Sequence, residues 1–344
     1  MKSLRRRSVR FGLFAATLWI ILAGTASSQS KVGTTAAQFL GIAVGPRAIA
    51  MGGASVASSE DVSSLYWNPG AFAQAGKSQL MFTNTQWLVG TKFRWLGLMY
   101  NLDGSNAVGV SLTQLDYGDD EVTTTTSPEG TGLRWSAQDI AIAISYARLL
   151  TDKFSLGGTA KYVSQSIWNE SASSFTFDLG LLYVTEFSGL RLGMSMSNFG
   201  GDLTMDGQDL YYRVDIDPNN PGGNKTLVAK LKTDAWPMPL LFRVGVAMDI
   251  VKTSEVRLTL AGDAQHPIDN VETVNLGSEV GWHDMLFLRA GYMSLFDPNS
   301  EEGITLGAGL KYSLEGGGSL ELNYAFNKFG VFDNINTIGL AIGF

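Results

Sequence analysis

Few side chains in this sequence could make or break a covalent bond. His266 and His283 are its two histidines, and it has no cysteine. Disulfides, thiolate zinc sites, iron–sulfur clusters, cysteine nucleophiles and a lipidated N-terminal cysteine are therefore excluded. His266 lies beside Pro267 and near Asp263, and His283 adjoins Asp284. Both fall between expected strands and read as solvated histidines, not as the base a hydrolase needs beside its nucleophile. Gly52-Gly53 has no Lys-Ser/Thr after it and is no phosphate loop. No catalysis, metal or cofactor is expected. The formal net charge of −7 disfavours nucleic acid as a partner.

The charged residues of interest alternate with apolar neighbours. Lys161, Arg191, Arg243, Arg257, Arg289 and Lys311 do so, and so do Asp139, Asp178, Asp249, Asp263, Glu279 and Glu321. Equal numbers of each sign on one face fit either paired charges filling an enclosure or a path for a charged substrate. Small residues on the same faces, such as Gly307 and Gly309, leave room for something else inside.

The elements that must carry these residues are strands. Ile338, Leu340, Ile342 and Phe344 oppose Thr337, Gly339, Ala341 and Gly343, and Leu320, Leu322, Tyr324 and Phe326 oppose Glu321, Asn323, Ala325 and Asn327. Period two with one clean apolar face marks half-buried strands. About 14 are read, at 78–86, 92–101, 106–116, 138–149, 153–165, 174–185, 189–199, 238–250, 255–264, 271–281, 285–293, 303–313, 318–327 and 335–344. The segment 92–101 alternates least well. Odd-numbered connections read long, notably 117–135 and 200–236, and even-numbered ones read as short turns such as Asp103-Gly104-Ser105. Beyond residue 30 no uncharged apolar run reaches the roughly 18 residues of a membrane helix. The apolar faces carry little charge, whereas a soluble sandwich or propeller has a charged outer face. Aromatics including Trp67, Tyr100, Tyr146, Tyr183 and Trp282 sit near strand ends, as interfacial girdles do. The expected fold is all-β: an antiparallel transmembrane barrel over residues 78–344, surrounded by lipid of a bacterial outer membrane. Both termini are expected on the periplasmic side.

Lys2, Arg5, Arg6, Arg7 and Arg10 precede an apolar stretch from Phe11 to Gly24 and then small residues, which is the pattern of a secretory signal peptide over 1–28. Residues 29–77 are glycine-broken and are expected to plug the lumen. Thr34 or Thr35 is expected to cap a short helix carrying Ala37, Phe39, Leu40 and Ile42.

Within that plug, Gln38-Phe39-Leu40, Arg47, Met51-Gly52-Gly53 and Trp67-Asn68-Pro69 stand in the segments Ala36–Leu40, Gly45–Ala54 and Leu65–Pro69. These segments resemble the N-terminus of the PorV/PorQ family, which is related to FadL-type hydrophobe transporters. One position departs: the family usually continues Trp-Asn-Pro-Ala-Gly, whereas here Gly70-Ala71 follows Pro69. The resemblance spans the mature chain and implies a 14-stranded barrel with an N-terminal plug. It further implies a role in type IX secretion, with secretion-system proteins or secreted cargo as partners at the extracellular loops. The FadL relation implies the alternative, a channel for hydrophobic ligands. An open diffusion porin is disfavoured by the plug. The terminal strand with Ile338, Leu340, Ile342 and Phe344 resembles the signal read by the barrel-assembly machinery.

Overall fold

Successive side chains leave a strand on opposite faces, so each alternating segment offers one face to lipid and one to an interior. The computed structural model describes residues 32–217, 219, 226–332 and 334–344. The expected signal peptide, residues 29–31 and most of the Asn219–Asn224 turn lie outside the described residues. Fourteen long strands form the barrel. They are β1 (Gln79–Gln86), β2 (Lys92–Asn101), β3 (Asn106–Glu121), β4 (Arg134–Thr151), β5 (Phe154–Ile167), β6 (Glu170–Val184) and β7 (Arg191–Gly200). After a long loop come β8 (Leu241–Lys252), β9 (Val256–Pro267), β10 (Thr273–Trp282), β11 (Leu286–Leu295), β12 (Glu302–Ser313), β13 (Ser319–Phe329) and β14 (Ile335–Gly343). Each pairs antiparallel with its neighbours, and β14 returns to β1 from Gln79↔Gly343 to Gln86↔Asn336. Closure removes the unpaired sheet edge that a bilayer core cannot solvate. No helix among the described residues is long and apolar enough to cross a membrane.

The expected faces are observed. In β14, Thr337, Gly339 and Ala341 are buried inside while Ile338, Leu340 and Ile342 point out. The poorly alternating segment is a full strand, β2. Its inward Phe93, Trp95 and Met99 are buried against apolar residues of the N-terminal segment, so both of its faces are apolar.

The rhythm of the connections is less regular than expected. β3 and β4 continue to Glu121↔Arg134, shortening that loop to residues 122–133. β5 and β6 meet at Ile167↔Glu170, leaving only Trp168 and Asn169 between them. These hairpins extend because their outer ends are polar and keep pairing beyond the apolar band. Trp67 is also not an interfacial residue: it is 2% exposed, inside the barrel.

Candidate functional site: a filled lumen and its loop rim

The N-terminal segment runs through the barrel from the rim of long loops to the rim that holds the C-terminus. At the loop rim the Ala36 amide donates to the Pro237 carbonyl at 2.9 Å, and the Ala37 amide to Gln165 Oε1 at 3.0 Å. The helix expected here is a 3-10 turn, Gln38–Gly41, with Ala37 at its N-cap in a left-handed conformation. Thr35 does not cap it, because its hydroxyl bonds the Asp269 carboxylate of the β9–β10 loop instead. Exposed Gln38 donates to the same carboxylate at 2.6 Å. At the opposite rim the Phe344 amide donates to Ser78 O at 3.1 Å.

Between the rims the segment touches the wall with both apolar and backbone atoms. Phe39, Leu40, Leu65 and Phe72 pack with Trp95, Leu115 and Val163 of the wall in one buried cluster. On the other side, Met51-Gly52-Gly53 lies against β10 and β11. A Cβ on Gly52 would stand 2.5 Å from the Leu276 carbonyl oxygen and 2.6 Å from the Tyr292 nitrogen, and its φ of +66° also favours glycine. Inward Gly277 and Gly291 are the wall's half of this contact, so a side chain on either would strike Met51 or Gly52. The Gly52 amide donates to Thr305 Oγ1 at 3.0 Å, and that hydroxyl donates to Ala50 O at 3.0 Å. Trp67 Nε1 donates to Val44 O at 2.8 Å, while Asn68 Nδ2 bridges Val56 O at 2.8 Å and Leu181 O at 2.9 Å. Pro69 and Gly70 then pass directly over inward Gly157 and Gly180.

The interior charges pair with one another across the wall and, at Arg47 and Glu60, with this segment. Glu279, with a fully buried side chain, takes Arg47 Nε at 2.9 Å, Arg289 Nε at 2.7 Å and Arg257 Nη2 at 3.1 Å. Glu60 joins Arg257 at 3.1 Å and also pairs with Arg191, which reaches Asp249 at 3.0 Å. Asp263 accepts the Ser55 and Val56 amides at 2.7 and 2.8 Å. Arg243 lies 5.4 Å from the Tyr66 ring centre and 5.1 Å from that of Trp67. Lys161 pairs with Asp178 at 2.8 Å, and Asp139 accepts the Tyr117 hydroxyl at 2.8 Å. Lys311 opposes Glu321 in register but bonds Asp284 of the adjacent turn at 2.6 Å. The residues that sequence reasoning missed are Glu60, Tyr66 and Asp269. Near-balance among the wall charges concealed the need for an acid from the segment. Such a network of charge-assisted bonds pins the segment against the wall.

The two histidines stand apart from it. His266 ends β9, exposed, 3.1 Å from Glu272, whereas Asp263 is turned inward to the segment's amides. His283 sits in the β10–β11 turn with its ring 4.9 Å from that of Trp282.

The described residues of the loop between β7 and β8 form paired segments. Leu203–Thr204 pairs with Ala235–Trp236, and Tyr211–Val214 with Leu227–Lys230. Asp206 and Gly207 add to β6, and Lys230 bonds Asp206 at 2.6 Å, holding that carboxyl below its ordinary range. Tyr211, Tyr212, Ile216, Val228 and Leu231 remain exposed on this loop, Ile216 at 74% and Val228 at 68%.

Comparison with known proteins places this arrangement. The family model described as type IX secretion system protein PorV matches residues 25–214. A search of curated protein sequences returns no match. Among solved structures, the CymD monoaromatic hydrocarbon channel is similar at a TM-score of 0.57 and 16% identity, covering 87% of this chain and 96% of its own. The toluene transporter TodX of Pseudomonas putida is similar at a TM-score of 0.55 and 14% identity, covering 87% and 97%. These likenesses are of fold. The chain belongs to the PorV family, and is an outer-membrane β-barrel of type IX secretion.

Proposed function

We propose that the chain is an accessory of type IX secretion that binds secreted cargo or other secretion proteins at its loop rim. Residues 29–77 act as the plug. The loop rim faces outside, and the rim with Phe344 faces the periplasm. The observation that carries this reading is the exposed apolar surface of the β7–β8 loop. Outside a lipid-facing wall, a group such as Tyr211, Ile216, Val228 and Leu231 marks a protein contact. The filled and pinned bore supports it, because such a barrel works through its rim. Deleting the gene is expected to hold type IX cargo in the periplasm; unchanged cargo at the cell surface would refute the reading.

A conduit for hydrophobic small molecules is the second reading. It draws on the fold and on an apolar recess of about 510 Å³ beside Leu288, Leu310 and Tyr324. Most of its lining residues point outward, and Phe287 and Gly309 come from the inner face. Slower hydrophobe uptake by the deletion strain would favour it.

Phe344 is exposed at the end of β14 and fits the assembly signal. Its deletion is expected to lower the amount of barrel inserted in the outer membrane without changing the protein synthesised. Insertion at the normal level would assign the residue to lipid contact alone.

A further inference from the structure

The loop-rim ends of β3, β4 and β5 line an open cavity of about 450 Å³. A register shift between Asp116 and Asp119 bulges β3 at Tyr117-Gly118, with Gly118 at φ +81°. Tyr117 at the bulge lines the cavity, and its hydroxyl donates to Asp139. Tyr117 and Trp135 give the cavity an aromatic lining, Ile167 and Met205 add apolar surface, and Asp120 also lines it. Among the described residues, no basic residue lines the cavity. Asp119, also in the lining, is already paired with Arg134.

Asp139 is the unusual member. It is 4% exposed, and among the described residues no Lys or Arg forms an ion pair with it. Its hydrogen-bond partner is a neutral donor, the Tyr117 hydroxyl, and Gln165 stands opposite it in the β4–β5 register. Gln165 Oε1 accepts the Ala37 amide, which ties the N-terminal segment to the same rim. A buried carboxylate without a cation is costly unless one arrives. A carboxylate in a cavity lined by two aromatic residues suits a cation with an apolar stem, since ring faces attract cations and the stem covers apolar surface.

We infer that this cavity receives an arginine or lysine side chain from a protein bound at the loop rim. The inference rests on the proposed role only in naming a protein as the source. Met205 of the β7–β8 loop lines the cavity, so the loop proposed to bind a partner adjoins it. The cavity exceeds one side chain and lies in the size range of ordinary ligand sites, about 300–1,000 Å³.

The test uses the purified full barrel labelled with 5-fluorotryptophan, the Trp135 resonance being assigned from Trp135→Phe. N-acetyl-arginine methylamide is expected to shift that resonance saturably. The uncharged isostere N-acetyl-citrulline methylamide is expected to bind about tenfold more weakly or worse, as loss of a charge-assisted bond requires. Asp139→Asn should weaken the arginine probe by a similar factor. No saturable shift, or equal binding of the citrulline probe to the unmutated protein, overturns the inference without any variant having to fold. Normal secretion in the deletion strain would refute the wider role while leaving the titration to decide the cavity.

Discussion

Glu279→Gln is expected to free the N-terminal segment and to lower barrel stability by about 3–5 kcal/mol, the usual cost of breaking a buried ion pair on one side. The carboxylate accepts Arg47 through both Nε and Nη2, at 2.9 and 3.1 Å, and Arg257 and Arg289 besides. Glutamine would keep one acceptor and present an amide N–H to guanidiniums that have nothing to accept it. Those guanidiniums would then repel one another in a site with little water. Arg47→Met should cost less, because Glu279 retains two cationic partners. An exposed pair gives the contrast: Lys153→Gln, which removes the partner of Glu186, should change stability by less than about 1 kcal/mol. The unfolding temperature and protease cleavage within residues 33–77 would report all three. Equal protease resistance of Glu279→Gln and the unmutated chain would show that the network does not hold the segment.

Gly52→Ala and Gly277→Val are expected to dislodge the same segment by a different cause. Gly52 meets backbone atoms of Leu276 and Tyr292, and Gly277 meets the backbone of Met51. Backbone paired in a closed sheet cannot yield as a side-chain tip does. The cost should therefore reach or pass the upper end of ordinary overpacking, about 3 kcal/mol. Outward Gly262 is the control, since its nearest neighbour is the Leu276 side chain at 3.2 Å, and Gly262→Ala should be mild. Combining Gly52→Ala with Gly277→Val should add little to either alone, because one contact is lost in each case. Additive losses in the double variant would mean that the two glycines do not serve one contact.

Much of the wall was legible because lipid imposes period two: every strand expected from alternation is present. Alternation weakened at β2 for a tertiary reason, its inner face meeting Phe39, Leu65 and Phe72 of the segment. Loop lengths were misjudged where polar hairpins extend, as at Ile167↔Glu170. The motif residues Gly52, Trp67 and Asn68 were visible in the sequence, but their work lies in contacts with residues far along the chain, such as Leu276 and Leu181. Thr35 shows the same limit. Local rules favour it as a cap, and a carboxylate from the β9–β10 loop takes its hydroxyl instead. The rim cavity was illegible, because Tyr117, Asp139 and Gln165 converge only through a bulge and cross-strand register.

The role at the loop rim is tested most directly by removing the loop's apolar surface and leaving the barrel intact. A chain with Tyr211→Ser, Ile216→Ser, Val228→Ser and Leu231→Ser, returned to a deletion strain, should insert at the normal level. Type IX cargo at the cell surface should nonetheless fall as it does in the deletion strain. Full surface cargo with this variant in the membrane would contradict a partner-binding role for the loop.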